Sequence, residues 1–223
     1  MKKLTKVFLI AILVAFATES FAQINFGIKG GVNLAKLMEK YIGDEDFDGD
    51  LNEYTKSKLG FQVGPVVEFG FSDLISLETG LLLSAKGTKS EFSEESMESK
   101  SSASIMYLNI PVNARVGFDV GGTRIFGAVG PYIGVGLSGK YKGEYTINGE
   151  TTTEEEDLEF GNDEAESDLK RLDYGLSIGA GAAFGAFEVG LNYDLGLADL
   201  RFSDNFKTST RCLSITAAYK FGK

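Results

Sequence analysis

The chain has 223 residues, a formal charge of −10, no histidine, no tryptophan and one cysteine. Acidity of this size argues against nucleic acid or anionic-lipid surfaces as partners. Without histidine a Ser/His/Asp catalytic arrangement is excluded, and Cys212 alone forms no internal disulfide and reads as a small packing residue.

The chain opens with Lys2, Lys3 and Lys6, an apolar run from Val7 to Ala17, and Ser20-Phe21-Ala22 with small residues at the two cleavage-determining positions. That pattern predicts a secretory signal peptide over 1–22. The apolar run is shorter than the ~20 residues needed to span a bilayer, which argues against an uncleaved anchor. Cleavage would leave Gln23 at the N-terminus, so no cysteine is there for lipid attachment, and a barrel domain over 23–223 with a formal charge of −12. Past this segment the longest uncharged run, Ile125 to Gly139, contains Pro131 and five glycines. It is too short and too broken for a transmembrane helix.

Eight stretches then alternate apolar and polar residues, the period of a β-strand with two different faces. The first, about Ile24 to Leu34, sends Asn25, Lys29 and Asn33 to the polar side. The second, about Leu59 to Phe71, sends Gln62, Gly64, Glu68 and Gly70 there, and the third, about Ile75 to Ala85, Ser76, Glu78 and Ser84, with Lys86 following in step. In the fourth, about Met106 to Phe118, the polar face holds Tyr107, Asn109, Asn113 and Arg115. In the fifth, about Thr123 to Leu137, it holds Arg124, Tyr132 and, just beyond, Ser138. Pro131 removes one ladder hydrogen bond and predicts a bulge at that point. The sixth, about Leu172 to Phe184, places Asp173 and Ser177 inward with Arg171 just before them. The seventh alternates Phe187, Val189, Leu191 and Tyr193 with Glu188, Gly190, Asn192 and Asp194, and the eighth, about Leu213 to Phe221, carries Lys220 inward.

Connections alternate in length. Ser72-Asp73-Leu74, Asp119-Val120-Gly121-Gly122 and Gly185-Ala186 are tight turns, and the others are long. The expected fold is therefore all-β: an eight-stranded antiparallel up-and-down transmembrane β-barrel with short periplasmic turns and long acidic extracellular loops. Phe26, Phe69, Phe71, Phe118, Phe184, Phe187, Tyr219 and Phe221 all fall at the predicted periplasmic ends, as an interfacial aromatic girdle should. A soluble lipid-carrying barrel would reverse the two faces and force the large apolar side chains into a lumen too small for them.

The inward face collects Lys29, Lys86, Arg115, Arg124, Arg171 and Lys220 against Glu68, Glu78, Asp173, Glu188 and Asp194. The interior of an eight-stranded barrel is just wide enough for side chains to fill, so these charges are expected to pair as a plug, and otherwise to line a narrow ion path. In the first long loop Asp44, Asp46, Asp48 and Asp50, with Gly49 sixth and Leu51 eighth, match the opening of a calcium loop. Thr55 stands at the twelfth position, where a bidentate Glu belongs, so only a weak, about millimolar, calcium site is expected, and no other cofactor. The third long loop, about Lys142 to Asp168, has eleven carboxylates, including Glu154, Glu155, Glu156 and Asp157. It is expected to stay solvated and mobile, with a cation-bridged lipopolysaccharide layer or a basic protein as its partner.

The stretches Gly27-Ile28-Lys29-Gly30-Gly31-Val32-Asn33-Leu34, Gly64-Pro65-Val66-Val67-Glu68, Ile110-Pro111-Val112-Asn113-Ala114 and Gly130-Pro131-Tyr132-Ile133-Gly134, with the closing Ala218-Tyr219-Lys220-Phe221, resemble the PorT-like family of bacterial outer-membrane β-barrel proteins. The resemblance runs over essentially the whole chain after the signal and implies an eight-stranded outer-membrane barrel. Its best-known relatives assist protein secretion. The last strand also looks like the signal read by the outer-membrane barrel-assembly machinery, although Gly222 and Lys223 follow its terminal aromatic. The expected function is that of a structural or interaction protein acting through loops or turns, in secretion or envelope assembly, with a small pore or transport protein as the alternative and no enzymatic activity.

Overall fold

The computed structural model describes residues 23–42, 52–94, 97–147, 149–161, 163, 167–203 and 205–221. Within them the regular structure is β throughout: β1 (Gln23–Tyr41), β2 (Thr55–Gly70), β3 (Ile75–Gly80), β4 (Leu82–Glu94), β5 (Met97–Val120), β6 (Thr123–Ile147), β7 (Glu150–Leu158), β8 (Phe160–Gly161), β9 (Leu169–Lys170), β10 (Leu172–Phe184), β11 (Phe187–Gly196) and β12 (Phe206–Phe221). β3 and β4 form one stave that Leu81 only nominally interrupts, because Thr79↔Val112 and Leu82↔Asn109 keep the same register against β5. Eight staves follow in chain order, each antiparallel to the next, and β12 returns onto β1 with Val32 opposite Ile215. Closure leaves no unpaired edge within the ring, which is the condition for a sheet to sit in hydrocarbon.

The turns at one end are tight for local reasons. Gly121 and Gly122 have φ of 57° and 83°, the left-handed pair that a two-residue turn between Val120 and Thr123 requires. The Ser72 hydroxyl oxygen accepts the backbone N–H groups of Leu74 (3.3 Å) and Ile75 (3.0 Å), closing the second turn. At this end stand the eight girdle residues. Phe26 faces Phe221 across β1 and β12, and the Tyr219 ring meets Phe187 at 5.1 Å and Phe221 at 5.4 Å, edge to face.

The outward side chains of the ring are apolar and uncovered, among them Phe26, Ile28, Val129, Ile178 and Ile215, while Lys29, Glu78, Lys86, Arg115 and Asp173 are buried inside. That is the reverse of a soluble lipid carrier, and it fits a wall whose solvent is lipid.

Three expectations need correction. The bulge in β6 is not at Pro131, which keeps unbroken register with Leu176. It lies at Leu137, where the pairing with β5 jumps from Tyr107↔Gly136 to Met106↔Ser138. The inserted residue reverses the parity beyond it, so Ser138 faces outward rather than into the lumen. Second, the staves are longer than the apolar alternation: β5 begins at Met97, β6 runs to Ile147, and β12 begins at Phe206. Third, the acidic connection after the fifth stave is not without structure. β6 turns at Gly149, whose φ is +87°, and β7 pairs back along it from Ile147↔Glu150 to Gly139↔Leu158. Lys140 and Lys142 stand opposite Asp157 and Glu155 on this hairpin, so the acidic run has a cationic partner strand.

Candidate functional site

Every second side chain of a closed stave points inward, so the candidate site is the lumen, and it is built in layers. Nearest the short turns, Lys29 on β1, Glu68 on β2, Glu78 on β3, Arg115 on β5, Glu188 on β11 and Lys220 on β12 converge. The Arg115 guanidinium donates to Glu78 Oε2 at 2.6 Å and to Glu188 Oε2 at 2.7 Å. Lys220 Nζ lies 3.1 Å from both of those carboxylates and also donates to Glu68, and Lys29 donates to Glu78. The Ser76 hydroxyl donates to Glu68 Oε1 at 2.6 Å. Three cations meet three anions, and each carboxylate is hydrogen-bonded, the conditions under which buried charge is tolerated. The Phe126 ring closes the layer, its centroid 3.7 Å from Arg115 Cζ.

A second charged layer lies toward the long loops. Lys86 Nζ is 3.5 Å from Asp173 Oδ2 and 3.8 Å from Asp194 Oδ2, and it sits 4.6 Å from the Tyr132 ring centroid. The Tyr132 hydroxyl lies 3.3 Å from Asp173 Oδ1. These contacts are longer than those below, and two carboxylates share one ammonium. Between the layers is a small chamber of about 30 Å³ that Lys29, Asn109, Asn113, Ser177 and Asp194 help to wall. It has room for about two water molecules. Asn33 ties the neighbouring staves together, donating to Ser84 Oγ at 3.0 Å and accepting from the Ser214 hydroxyl at 2.9 Å.

Above the second layer the interior turns apolar. Ile105, Tyr107, Leu169, Ala198 and Leu200 are buried against one another, with Leu37, Leu158 and Phe160 packed around them. Leu169, Ala198 and Leu200 come from the connections around β9 and between β11 and β12, so the long loops fold back and cap the barrel. On the outer side of the cap is a recess of about 530 Å³, bordered by Tyr141, Leu158, Thr208 and the Arg201–Glu39 ion pair at 3.2 Å. At the opposite end a recess of about 200 Å³ reaches up to Glu68.

Of the anticipated lumen charges, Lys29, Glu68, Glu78, Arg115, Glu188 and Lys220 meet in the first layer and Lys86, Asp173 and Asp194 in the second. Arg124 does not join either. It borders the recess at the short-turn mouth and reaches Asp119 across its own hairpin at 3.7 Å, because its place at the start of β6 leaves it at the rim. Arg171 is exposed and donates to the Phe160 carbonyl at 2.7 Å, the chain having left the ring just before Leu172. Removing these two turns six cations against five anions into four against five. Asp44, Asp46, Asp48 and Asp50 lie outside the described residues. Phe126 has inward parity in the sequence, as Tyr107 of the cap does, whereas Leu169, Ala198 and Leu200 carried no periodic signal.

No curated protein matches the chain. Among solved structures it is similar to Ail, the attachment invasion locus protein of Yersinia pestis, with 16% identity over 88% of this chain and 98% of that chain and a TM-score of 0.37. OprG from Pseudomonas aeruginosa shares 13% identity over 91% and 98% of the two chains with a TM-score of 0.44, and outer membrane protein W of E. coli 13% over 91% and 100% with 0.40. The family model for the outer membrane protein beta-barrel domain matches residues 19–201, most of the chain. The chain belongs to that family, and it is a bacterial outer-membrane β-barrel protein.

Proposed function

We propose that the protein is a closed outer-membrane anchor that works through its extracellular face, docking a partner in secretion or envelope assembly as the resemblance to the PorT-like family implies. The observation that carries this reading is the obstruction of the lumen: two charged layers and an apolar cap stand in series, with only about 30 Å³ of space between the charged layers. A solute path would need all three to move. Outside the ring, β4, β5, β6 and β7 continue as an open sheet with β7 at its edge, and the Glu154–Asp157 run on that edge discourages self-pairing and favours a basic partner. On this reading residues 1–22 direct export and are cleaved, the assembly machinery inserts the barrel, and the acidic loops meet the lipopolysaccharide layer through bridging cations.

The test is single-channel conductance of refolded protein in a planar bilayer, with insertion checked by protease protection of the turns. Silence from inserted protein is the expected result. Steady current would replace the anchor with a pore in which the lumen charges act as the selectivity filter.

A further inference from the structure

We propose that the outer wall of the barrel holds a phosphate group of the outer-leaflet lipid at the seam where the ring closes, between Lys36 of β1 and Arg211 of β12. Over Phe26 to Leu34 on β1 and Leu213 to Phe221 on β12, every outward position of this seam is apolar, aromatic or glycine. About nine tilted residues are what a strand needs to cross the hydrocarbon. The next outward position on each strand is charged. Ala35 and Cys212 are buried inside, and Lys36 and Arg211 stand opposite each other on the outer face. The change comes at the long-loop end, which in outer-membrane barrels is the level of the outer-leaflet headgroups.

The second support is that this pair has no counter-charge. Neither residue forms an ion pair with a carboxylate among the described residues. Arg211 is fixed through Nη1, which donates to the carbonyls of Gly196 at 2.8 Å and Thr210 at 2.9 Å and to Ser209 Oγ at 3.2 Å. Its Nη2 and Nε make no hydrogen bond among the described residues. Side chains directly opposite on antiparallel strands stand about 5 Å apart at Cβ, so two like charges there repel and one anion can take both. On the sheet that continues beyond the ring, by contrast, Lys56, Lys100 and Lys142 each have a carboxylate at 2.5–2.9 Å. A phosphate supplies what the seam lacks, with several oxygens for the free guanidinium N–H groups and the ammonium.

Lys40 opposite Lys207 is a second like-charged pair, roughly 13 Å farther along the strands and so too distant to share that phosphate. It extends the positive strip away from the hydrocarbon. Salt screens charge beyond about 8 Å, so the local balance and not the chain's net −10 governs here. Glu39, three residues on from Lys36, is held by Arg201 at 3.2 Å. The proposal rests on insertion of the barrel in the outer membrane, not on a closed lumen, and adds a direct contact to the cation-bridged one of the acidic loops.

The experiment is thermal unfolding of the detergent-refolded barrel with purified lipopolysaccharide, in EDTA so that bridging cations are removed. Lipopolysaccharide is expected to raise the unfolding temperature saturably, by roughly 5–10 °C at a hundred times the half-saturating concentration. Lipopolysaccharide stripped of its phosphates should not. Lys36→Gln and Arg211→Gln should each raise the half-saturating concentration about fivefold, the share of one cation at an anionic membrane surface. Lys142→Gln removes a lysine that is already paired and should leave it within about twofold. Lys36 makes no hydrogen bond among the described residues, so Lys36→Gln decides the matter even if Arg211→Gln does not refold. A response unchanged in Lys36→Gln, or equal with the dephosphorylated lipid, would overturn the proposal. A response present only with calcium and lost in EDTA would overturn it by returning the contact to the acidic loops. The full shift from inorganic phosphate alone would do so by making this a site for the free ion. Steady current in the conductance test would refute the closed anchor and leave these outcomes untouched.

Discussion

The two charged layers of the lumen are similarly buried but differently arranged. Near the short turns three carboxylates and three cations interlock, with Arg115 and Lys220 reaching Glu78 and Glu188 at 2.6–3.1 Å and the arginine bridging those two glutamates. Toward the loops two aspartates share one lysine at 3.5 and 3.8 Å, and neighbouring polar atoms, Lys86 Nζ and Tyr107 Oη among them, make no hydrogen bond among the described residues. Desolvation costs several kcal/mol per ion in either place, so the difference lies in compensation. The lower layer is matched in charge, and the upper one sets two carboxylates against one ammonium.

Four changes test that comparison, the most severe first. Gly64 sits opposite Lys29, and a Cβ there would come 1.9 Å from the Leu81 carbonyl oxygen. Gly64→Leu is therefore expected to abolish refolding, read as loss of the heat-modifiable band on a gel. A barrel that refolds normally would mean an open interior and would remove the basis for both layers. Glu78→Gln leaves three cations facing two carboxylates, and should lower the free energy of unfolding in urea by about 3–5 kcal/mol. A loss well below that would mean the lumen tolerates unbalanced charge, and the contrast between the layers would fade. Asp194→Asn, which evens the charges of the upper layer, should leave the free energy of unfolding unchanged or raise it. The smallest effect is outside the ring, where Lys56 Nζ lies 2.5 Å from Glu91 Oε2 and, through that hydrogen bond and its charge, holds the Glu91 carboxyl below the usual carboxylate range. A depressed folded value means that the pair contributes above the ordinary carboxylate pKa and is lost as pH falls through the folded value. Lys56→Ala should return the Glu91 titration, followed by NMR, to the usual range with little change in global stability, as expected of an exposed pair. An unmoved titration would detach Glu91 from Lys56.

Most of the ring was readable because alternation is a local property. Glu68, Glu78, Asp173 and Glu188 could each be assigned inward from their immediate neighbours, since a strand side chain's face is decided by parity alone. Ser138 was lost where parity itself changed, at the extra residue Leu137. Arg124 and Arg171 were lost at stave ends, where a side chain of the right parity escapes to the mouth or the chain leaves the ring. The hairpin of β6 and β7 was missed for another reason: its acids looked unable to fold when counted alone, and the lysines opposite them are supplied by pairing.

The sequence by itself determined the closed eight-stave barrel, its apolar exterior, the placing of the tight turns and the aromatic girdle, because each rests on period, turn chemistry or residue size within a few positions. Only the tertiary structure decided which charges meet, how many remain unmatched and what caps the lumen. Those depend on register between staves far apart in the chain, and on loops folding back over the mouth. The sign of the net charge buried in the lumen reversed on that account, through two arginines that parity had counted in and geometry placed outside.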